Sequence, residues 1–266
     1  MRRRYLLWII IFSIIGLVYL LTQPKWIFKA AARIYPGALY GIEETSLPRD
    51  APAIALTIDD GPGPHTSDII GLLNRYGAKA TFFNISEHIP GHESVVASAV
   101  ASGHELGNHL TQDKPSILLS EKDFEVDLRT AESVLLPFLY ADANNNADEG
   151  AMLRWLRPGG GIYSSKMVAI AQKNGYQIAL GNNFPYDTHI PSARFSASFV
   201  LNRLKPGDIV VLHDGQGENA QRSDRTLEAL ETILPALRIR GYKVTTLSEL
   251  VDTAKPSDET AAQTNN

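Results

Sequence analysis

From Ile54 onward, short runs rich in β-branched residues alternate with segments of helical period. This alternation is typical of βαβ units and a parallel sheet, so it restricts the chain to an α/β fold. The predicted strands are Ile54–Ile58, Thr81–Ile85, Gln177–Leu180 and Ile209–Leu212. The predicted helices begin near Thr66, Ser94, Ser120, Ser165, Ser196 and Thr226. A chain of 266 residues can bury one sizeable core, and we expect one main domain.

The N-terminus carries a separate signal. Three arginines, Arg2 to Arg4, precede an uncharged and mostly apolar run from Tyr5 to Leu21. At 17 residues, this run is at the lower edge of bilayer-spanning lengths and is longer than the usual apolar region of a signal peptide. The basic cluster should stay cytoplasmic, so we expect a single-pass membrane protein whose remaining residues lie outside the cytoplasm. The alternative is cleavage near Ala30–Ala32, which would release a secreted protein.

These signals divide the chain into four parts. Residues 1–24 form the arginine cluster and transmembrane anchor, residues 25–50 a linker, residues 51–254 the folded domain and residues 255–266 a polar, disordered tail. Within the domain, Tyr140 to Gly150 contains three consecutive asparagines and indicates a polar surface insertion.

The charge distribution excludes one class of partner. Residues 1–45 hold six basic and two acidic residues, which leaves 19 basic against 27 acidic residues in the remainder. An acidic domain has no electrostatic footprint for a phosphate backbone, so we expect no nucleic-acid binding. The chain has no cysteine, which excludes disulfides, thiolate nucleophiles and cysteine-based zinc sites.

Two adjacent acids follow the first predicted strand. Asp59 and Asp60 come directly after Ile58 and lead into a turn rich in glycine and proline. The carboxyl end of a parallel strand is where barrels of this class hold their active sites. The alternative is an Asx turn in which the two acids only cap backbone amides.

A second cluster contains candidate metal ligands. His109 is followed four residues later by Asp113, and in a helix or a tight turn these two side chains point the same way. Together with Asp60 they supply one imidazole nitrogen and two carboxylate oxygens, a credible three-ligand catalytic site with an open position for water. Taken alone, a histidine and an aspartate at this spacing are more often surface residues.

Two further clusters add a permanent charge and a proton donor. Arg157 precedes Pro158 and three glycines, whose backbone can approach a developing oxyanion closely, and an arginine can hold a carboxylate bidentately. His213 follows the apolar strand Ile209–Leu212 and should face the same mouth as Asp59, where it could donate a proton near neutral pH. Taken singly, the first cluster is a flexible turn and the second a structural histidine.

In this order along the chain, the motifs resemble the polysaccharide deacetylase family, the NodB-like carbohydrate esterases. The resemblance covers roughly Ala51 to Val251. The matching segments are Thr57-Ile58-Asp59-Asp60-Gly61, Gly103 to His109, Arg157-Pro158 with its glycines, Asp187 in Pro185-Tyr186-Asp187, and Leu212-His213. The ordered set is specific, although any one segment would be weak.

The resemblance implies a fold, a reaction and a cofactor. The fold is a distorted (β/α) barrel of parallel strands. The reaction is a one-step hydrolysis of the acetamide of an N-acetylated glycan. The cofactor is a divalent metal, usually zinc, with cobalt, manganese and nickel as alternatives.

The resemblance also assigns roles to residues of the reaction itself. Asp59 would be the general base that takes a proton from water, and Arg157 would orient it. His213 would protonate the leaving sugar amine, and Asp187 would support the charged state of His213.

Further roles concern binding. Asp60, His109 and Asp113 would bind the metal. The backbone amide of Gly160, where the family usually has tyrosine, would stabilise the oxyanion, and Leu212 would line the pocket for the acetyl methyl group.

The sequence departs from the family pattern in its metal motif. The family has serine or threonine after the first histidine and a second histidine four residues on, whereas this chain has Leu110 and Asp113 there. A carboxylate in place of an imidazole keeps a ligand and adds negative charge. The site would favour metals that prefer oxygen and would acidify its water less.

Three functional hypotheses follow. The first is a hydrolase that deacetylates an N-acetylated glycan of the cell wall or an exported polysaccharide. The second is a carbohydrate-binding pseudoenzyme of the same fold, which the altered metal motif supports. The third is an amide hydrolase for a small non-sugar substrate, since the catalytic residues address the acetamide and not the sugar.

Overall fold

A computed structural model describes residues 21–140 and 152–254, together with positions 13, 16 and 19. The strands are β1 Ala38–Leu39, β2 Ala53–Gly61, β3 Thr81–Asn84, β4 Glu105–Asn108, β5 Trp155–Leu156, β6 Gln177–Ala179, β7 Ile209–His213 and β8 Lys243–Thr245. The α-helices are α1 Lys25–Ile34, α2 Thr66–Arg75, α3 Glu93–Ala101, α4 Glu121–Tyr140, α5 Ser165–Lys173, α6 Ala193–Arg203, α7 Gln221–Ile239 and α8 Leu247–Thr253. Nearly all of the predicted insertion and the whole predicted tail lie outside these residues.

The named strands pair in parallel within one curled sheet. The strand order is β1-β6-β5-β4-β3-β2-β7, and β8 pairs with the start of β2. A bridge between Asn183, beyond β6, and Val210 of β7 links the two ends of the sheet. The result is a curled half-barrel of the (β/α) type, which confirms the predicted α/β class of parallel strands.

Residues of β2 alternate between two apolar cores. Ile54, Leu56 and Ile58 point outward into the large core between the sheet and the helices. Ala53 and Ala55 point inward into a smaller core that fills the lower part of the barrel. The other buried members of this inner core are Leu47, Phe83, Trp155, Ala179, Ile209, Leu247 and Leu250.

The inner face changes from apolar to polar along the strands. Leu247 and Leu250 of α8 are fully buried in the inner core near the start of β2. Further along β2, Thr57 and Asp59 continue the inward-facing series, and Arg157 follows β5 on the same face. The apolar lower core therefore places the charged groups at the carboxyl end of the sheet.

The four predicted strands and six predicted helices are confirmed, with small shifts at their ends. The capping interaction at Ser120 is also present, since the Asp123 backbone N–H donates to the Ser120 hydroxyl at 3.2 Å. The strands β1, β4, β5 and β8 were not predicted. Each has only two to four residues, too few to show a period.

The segment before the domain is folded onto it. Residues 25–50, predicted as a linker, contain α1 and β1, and β1 pairs with β6. Most of the predicted anchor, Tyr5 to Leu21, lies outside the described residues. Among the residues that are described, the structure has no helix both long enough and apolar enough to span a bilayer.

Candidate active site

A cleft of about 710 Å³ opens at the carboxyl end of the sheet. It gathers eight of the nine predicted site residues, which come from five separate segments of the chain. These residues are Asp59, Asp60, His109, Asp113, Arg157, Gly160, Asp187 and His213. The structure therefore brings these segments together at one edge of the parallel sheet.

Leu212 is the exception. Its side chain is fully buried in the outer core, and the cleft is lined by Val211 instead. The reason is the two-residue period of a strand: Val211 and His213 share the inner face of β7, so Leu212 between them points outward. The prediction that Leu212 lines the cleft is therefore wrong, and Val211 provides the apolar surface.

Arg157 holds Asp59 inside the barrel. Its guanidinium donates to the Asp59 carboxylate at 2.5 Å and to the Thr57 hydroxyl at 2.8 Å, while Nε donates to the Ala179 carbonyl at 2.9 Å. The guanidinium also lies 4.1 Å from the centre of the Phe83 ring, a cation–π contact. Arg157 and Asp59 are each only 3% exposed, so this ion pair is shielded from water.

A local distortion brings two consecutive acids to the same cleft. In a regular strand, Asp59 and Asp60 would point to opposite faces. The pairing of β2 with β3 shifts register between Asp59 and Gly61, and Asp60 adopts a left-handed φ of 65°. This bulge turns Asp60 toward the cleft at a conformational cost that the surrounding structure must offset.

The same kind of strain occurs beside two other site residues. Leu110, which follows His109, has a φ of 66°, and Tyr186, which precedes Asp187, has a φ of 57°. Left-handed conformations are uncommon for residues other than glycine and cluster at functional sites. Three residues in this strained conformation around one cleft are consistent with a functional site.

His109 is oriented by the bond to its other nitrogen. Its Nδ1 lies 2.6 Å from the Arg157 carbonyl oxygen, so this nitrogen donates, and Nε2 lies 3.2 Å from Asp60. Burial opposes the charge on Asp60, but the hydrogen bond and charge of His109, with the charges of His213 and Arg222, hold the pKa of Asp60 well below its usual range. Burial lowers the pKa of His109, and its contacts with the two aspartates outweigh burial and raise it.

His213 faces the Asp59 carboxylate oxygen that Arg157 does not contact. Its Nδ1 lies 2.9 Å from Asp187, and Asp187 also accepts the His213 backbone N–H at 2.8 Å. Nε2 faces Asp59 at 4.0 Å. Burial lowers the pKa of His213, but the charge and hydrogen bond of Asp187, with the charges of Asp59 and Asp60, raise it to about 9. The imidazole is therefore protonated at neutral pH with Nε2 directed into the cleft.

The predicted metal ligands are only partly assembled. Asp60 and His109 meet, but the Asp113 side chain is 47% exposed and lies 3.9 Å from Arg222. Arg222 also donates to the second carboxylate oxygen of Asp60 at 2.9 Å. Within the part of the chain that the structure describes, no three acidic, histidine or cysteine side chains are grouped to hold a metal ion. The residues as arranged do not fit the three-donor site that the family resemblance implies.

Arg222 is the charged residue that sequence reasoning missed. It lies in the first turn of α7, beyond the segment that carries His213, and no motif surrounds it. The available signal was topological: segments that follow strands at the carboxyl edge of a parallel sheet supply site residues. Its guanidinium bonds to the Asp60 carboxylate oxygen that His109 does not contact.

The glycines after Arg157 shape another wall of the cleft. Gly160 and Gly161 line it, and both have left-handed φ values, 74° and 66°. At Gly159, an added Cβ would lie 2.1 Å from the Lys114 carbonyl oxygen, so the close approach of these two segments requires glycine. The Gly159 N–H donates to the Ser116 hydroxyl at 2.7 Å, which fixes the turn.

Comparison with known proteins gives one consistent family. Residues 46–179 match the polysaccharide deacetylase family model. A peptidoglycan-N-acetylglucosamine deacetylase of Bacillus cereus is 32% identical over 213 residues, covering 77% of this chain and 91% of the relative. A chitooligosaccharide deacetylase of Bradyrhizobium sp. is 30% identical over 207 residues, covering 74% and 90%.

Solved structures show the same fold. A crystal structure of a peptidoglycan N-acetylglucosamine deacetylase superposes with a TM-score of 0.69 at 22% identity, covering 83% of this chain and 95% of the other. A pseudoenzyme of the CE4 family from Bacillus anthracis superposes with a TM-score of 0.68 at 22% identity, covering 82% and 70%. The same architecture therefore occurs in proteins described as enzymes and as pseudoenzymes.

The charge state of His213 should depend on Asp187. In Asp187→Asn the imidazolium loses its charge partner, so its pKa should fall from about 9 toward the ordinary value of 6.5, as measured by NMR titration of the ring protons. Because the pKa of His213 is raised on folding, its contribution to stability is complete below pH 6.5 and lost as pH rises through about 9. Asp68→Asn, an exposed carboxylate beside His65, is the control. An unchanged His213 midpoint in Asp187→Asn would contradict this assignment.

Arg222 should compete with cations for Asp60. Replacing it in Arg222→Gln removes a positive charge 2.9 Å from the carboxylate, so Zn²⁺ should bind at least about tenfold more tightly, as measured by isothermal titration calorimetry. Arg238→Gln, an exposed residue near the end of the same helix, is the matched control and should leave the affinity unchanged. Equal Zn²⁺ affinities of Arg222→Gln and the unaltered protein would show that the guanidinium does not compete with cations for Asp60.

Proposed function

Because the chain belongs to the polysaccharide deacetylase family, we propose that it hydrolyses the acetamide of N-acetylated sugars in a polysaccharide of the cell wall or of exported material. Its named relatives are deacetylases, hydrolases that act on the C–N bond of such sugars. The observation that carries the proposal is the position of Asp59 between a buried arginine and a histidine held by Asp187.

In the proposed reaction, Asp59 accepts a proton from a water molecule as the oxygen of that water attacks the acetyl carbonyl carbon. Arg157 keeps one oxygen of the Asp59 carboxylate fixed, and the other faces the cleft. The tetrahedral intermediate carries its negative charge on the former carbonyl oxygen. The backbone N–H of Gly160 is the proposed donor to that oxygen.

The second half of the reaction breaks the C–N bond. The His213 imidazolium donates its Nε2 proton to the amide nitrogen, which leaves as the free amine of the sugar, and the acyl part leaves as acetic acid, which loses its proton to water to give acetate. Asp187 supports this step because it stabilises the protonated ring and fixes its orientation. Val211 is the proposed contact for the acetyl methyl group, since it lines the cleft beside His213.

The cofactor proposal is a divalent cation, zinc first, because the family is generally dependent on such a metal. The chemistry that such an ion would supply is a lower pKa of its bound water and polarisation of a carbonyl group. Asp60 and His109 are the residues that would hold the ion, but within the described residues Arg222 is bonded to Asp60 and Asp113 does not join them as a third donor. We also propose that the domain lies outside the cytoplasm and is anchored to a membrane through residues 5–21. This proposal rests on the apolar run that follows the arginine cluster.

One observation favours a second candidate function. The ion pair of Arg222 with Asp60 and the exposed position of Asp113 fit a carbohydrate-binding pseudoenzyme that keeps the cleft without efficient catalysis. The two candidates differ in whether acetate is released.

The test is acetate release from N-acetylglucosamine oligomers by the full-length chain, with and without added Zn²⁺. Asp59→Asn should lower the rate by roughly 10²–10⁴-fold, because it removes the general base. Asp68→Asn, an exposed carboxylate on α2, is the matched control and should retain the rate. Binding of the oligomers without acetate release under either condition would favour the pseudoenzyme and contradict the proposed hydrolase.

A further inference from the structure

The segment before the family-matched region is bonded to the rim of the cleft. Gln23 is only 3% exposed, and its side-chain amide bonds to both backbone groups of one residue: it donates to the Phe184 carbonyl at 2.5 Å and accepts the Phe184 N–H at 3.3 Å. The Tyr186 hydroxyl donates to the Leu21 carbonyl at 2.9 Å. These contacts attach the chain at the start of α1 to the segment that leads to Asp187.

The start of α1 and Gln23 before it also bond to the end of α6, to the segment after β6 and to the residue before β7. Lys25 pairs with Asp208 at 2.8 Å and donates to the Asn182 carbonyl at 3.1 Å. The Arg203 guanidinium donates to the Gln23 carbonyl. The Asp208 side chain is 4% exposed, so this ion pair is partly shielded from water. These bonds fix the direction in which α1 crosses the domain.

This direction places an aromatic side chain of α1 in the cleft. Phe28 lines it together with Tyr40, Phe184 and Tyr186. The ring centre of Phe28 lies 6.2 Å from that of Tyr40 and 6.0 Å from that of Phe184. The ring centres of Phe184 and Tyr186 are 5.5 Å apart. We call these four residues the aromatic wall. Two of its members precede residue 46, where the family match begins.

The aromatic wall lies on the side of the cleft that should face the sugar. In the proposed reaction His213 protonates the sugar nitrogen, so the sugar ring must lie toward His213 and its partner Asp187. Tyr186 adjoins Asp187 in the chain, and Phe184 contacts Tyr186. Apolar ring faces with a few hydroxyl groups suit a pyranose, which presents C–H groups on its faces and hydroxyls at its edges.

We propose that the aromatic wall is a binding subsite for an N-acetylated sugar ring next to the one that is deacetylated, and that α1 supplies its outer member, Phe28. This inference rests on the proposed function, because it takes a glycan as the ligand. It makes residues 21–40 a part of the substrate-binding unit. Chain length of the glycan, rather than the acetamide itself, is then what α1 recognises.

The test measures binding to the full-length chain by isothermal titration calorimetry in an Asp59→Asn background, which prevents turnover. Phe28→Ala should weaken binding of N-acetylglucosamine tetramer by roughly 3–10-fold, while binding of the monomer changes by less than about twofold. Phe28→Tyr should retain tetramer binding because it keeps the ring face. Trp26→Ala is the matched control, since Trp26 is 54% exposed on the same helix and does not line the cleft.

Two results would overturn the subsite. One is an unchanged tetramer affinity in Phe28→Ala, and the other is an equal loss for monomer and tetramer. If Phe28→Ala does not fold, Phe28→Leu replaces it, because it keeps the apolar contact with the domain and removes the ring. Phe28-dependent tetramer binding with no acetate release by the unaltered chain would reject the hydrolase and keep the subsite. Acetate release together with tetramer binding that Phe28→Ala leaves unchanged would support the hydrolase and reject the subsite.

Discussion

The buried ion pair between Arg157 and Asp59 is the interaction on which the rest of the site depends. Arg157 follows β5 and bonds to β2 through Asp59 and Thr57 and to β6 through Ala179, so one side chain ties three strands across the barrel interior. Removing one partner of such a pair leaves an unpaired charge and costs about 3–5 kcal/mol. The bonds that hold the barrel together are therefore the bonds that position the proposed base.

The remaining groups are arranged around this pair by strand period and by strain. Inward-facing positions of the strands supply Asp59 and His213, and the bulge at Asp60 adds a carboxylate that a regular strand would direct outward. Positive charge surrounds the two acids on several sides, from Arg157, His213 and Arg222. Each of the two buried acids therefore has a cationic partner that offsets the cost of removing its charge from water.

The sequence predicts the fold and most of the site because both follow short-range patterns. Apolar runs ending in Asp59 or His213 identify strands and the edge where their side chains meet. The prediction for Leu212 is wrong because the two-residue period of the strand directs Val211 into the cleft and Leu212 into the outer core. Arg222 and Phe28 could not be predicted, since they reach the cleft through the packing of α7 and α1, which leaves no local pattern.

In the proposed reaction, the acetyl group lies between Asp59 and Gly160 and the sugar nitrogen lies against His213. The most direct measurement is a crystal structure of the Asp59→Asn variant with an N-acetylglucosamine oligomer bound. In this structure the amide nitrogen should lie within hydrogen-bond reach of His213 Nε2, about 2.6–3.2 Å, and the acetyl methyl group should lie against Val211. An oligomer bound with its acetamide directed away from His213 and out of the cleft would contradict it.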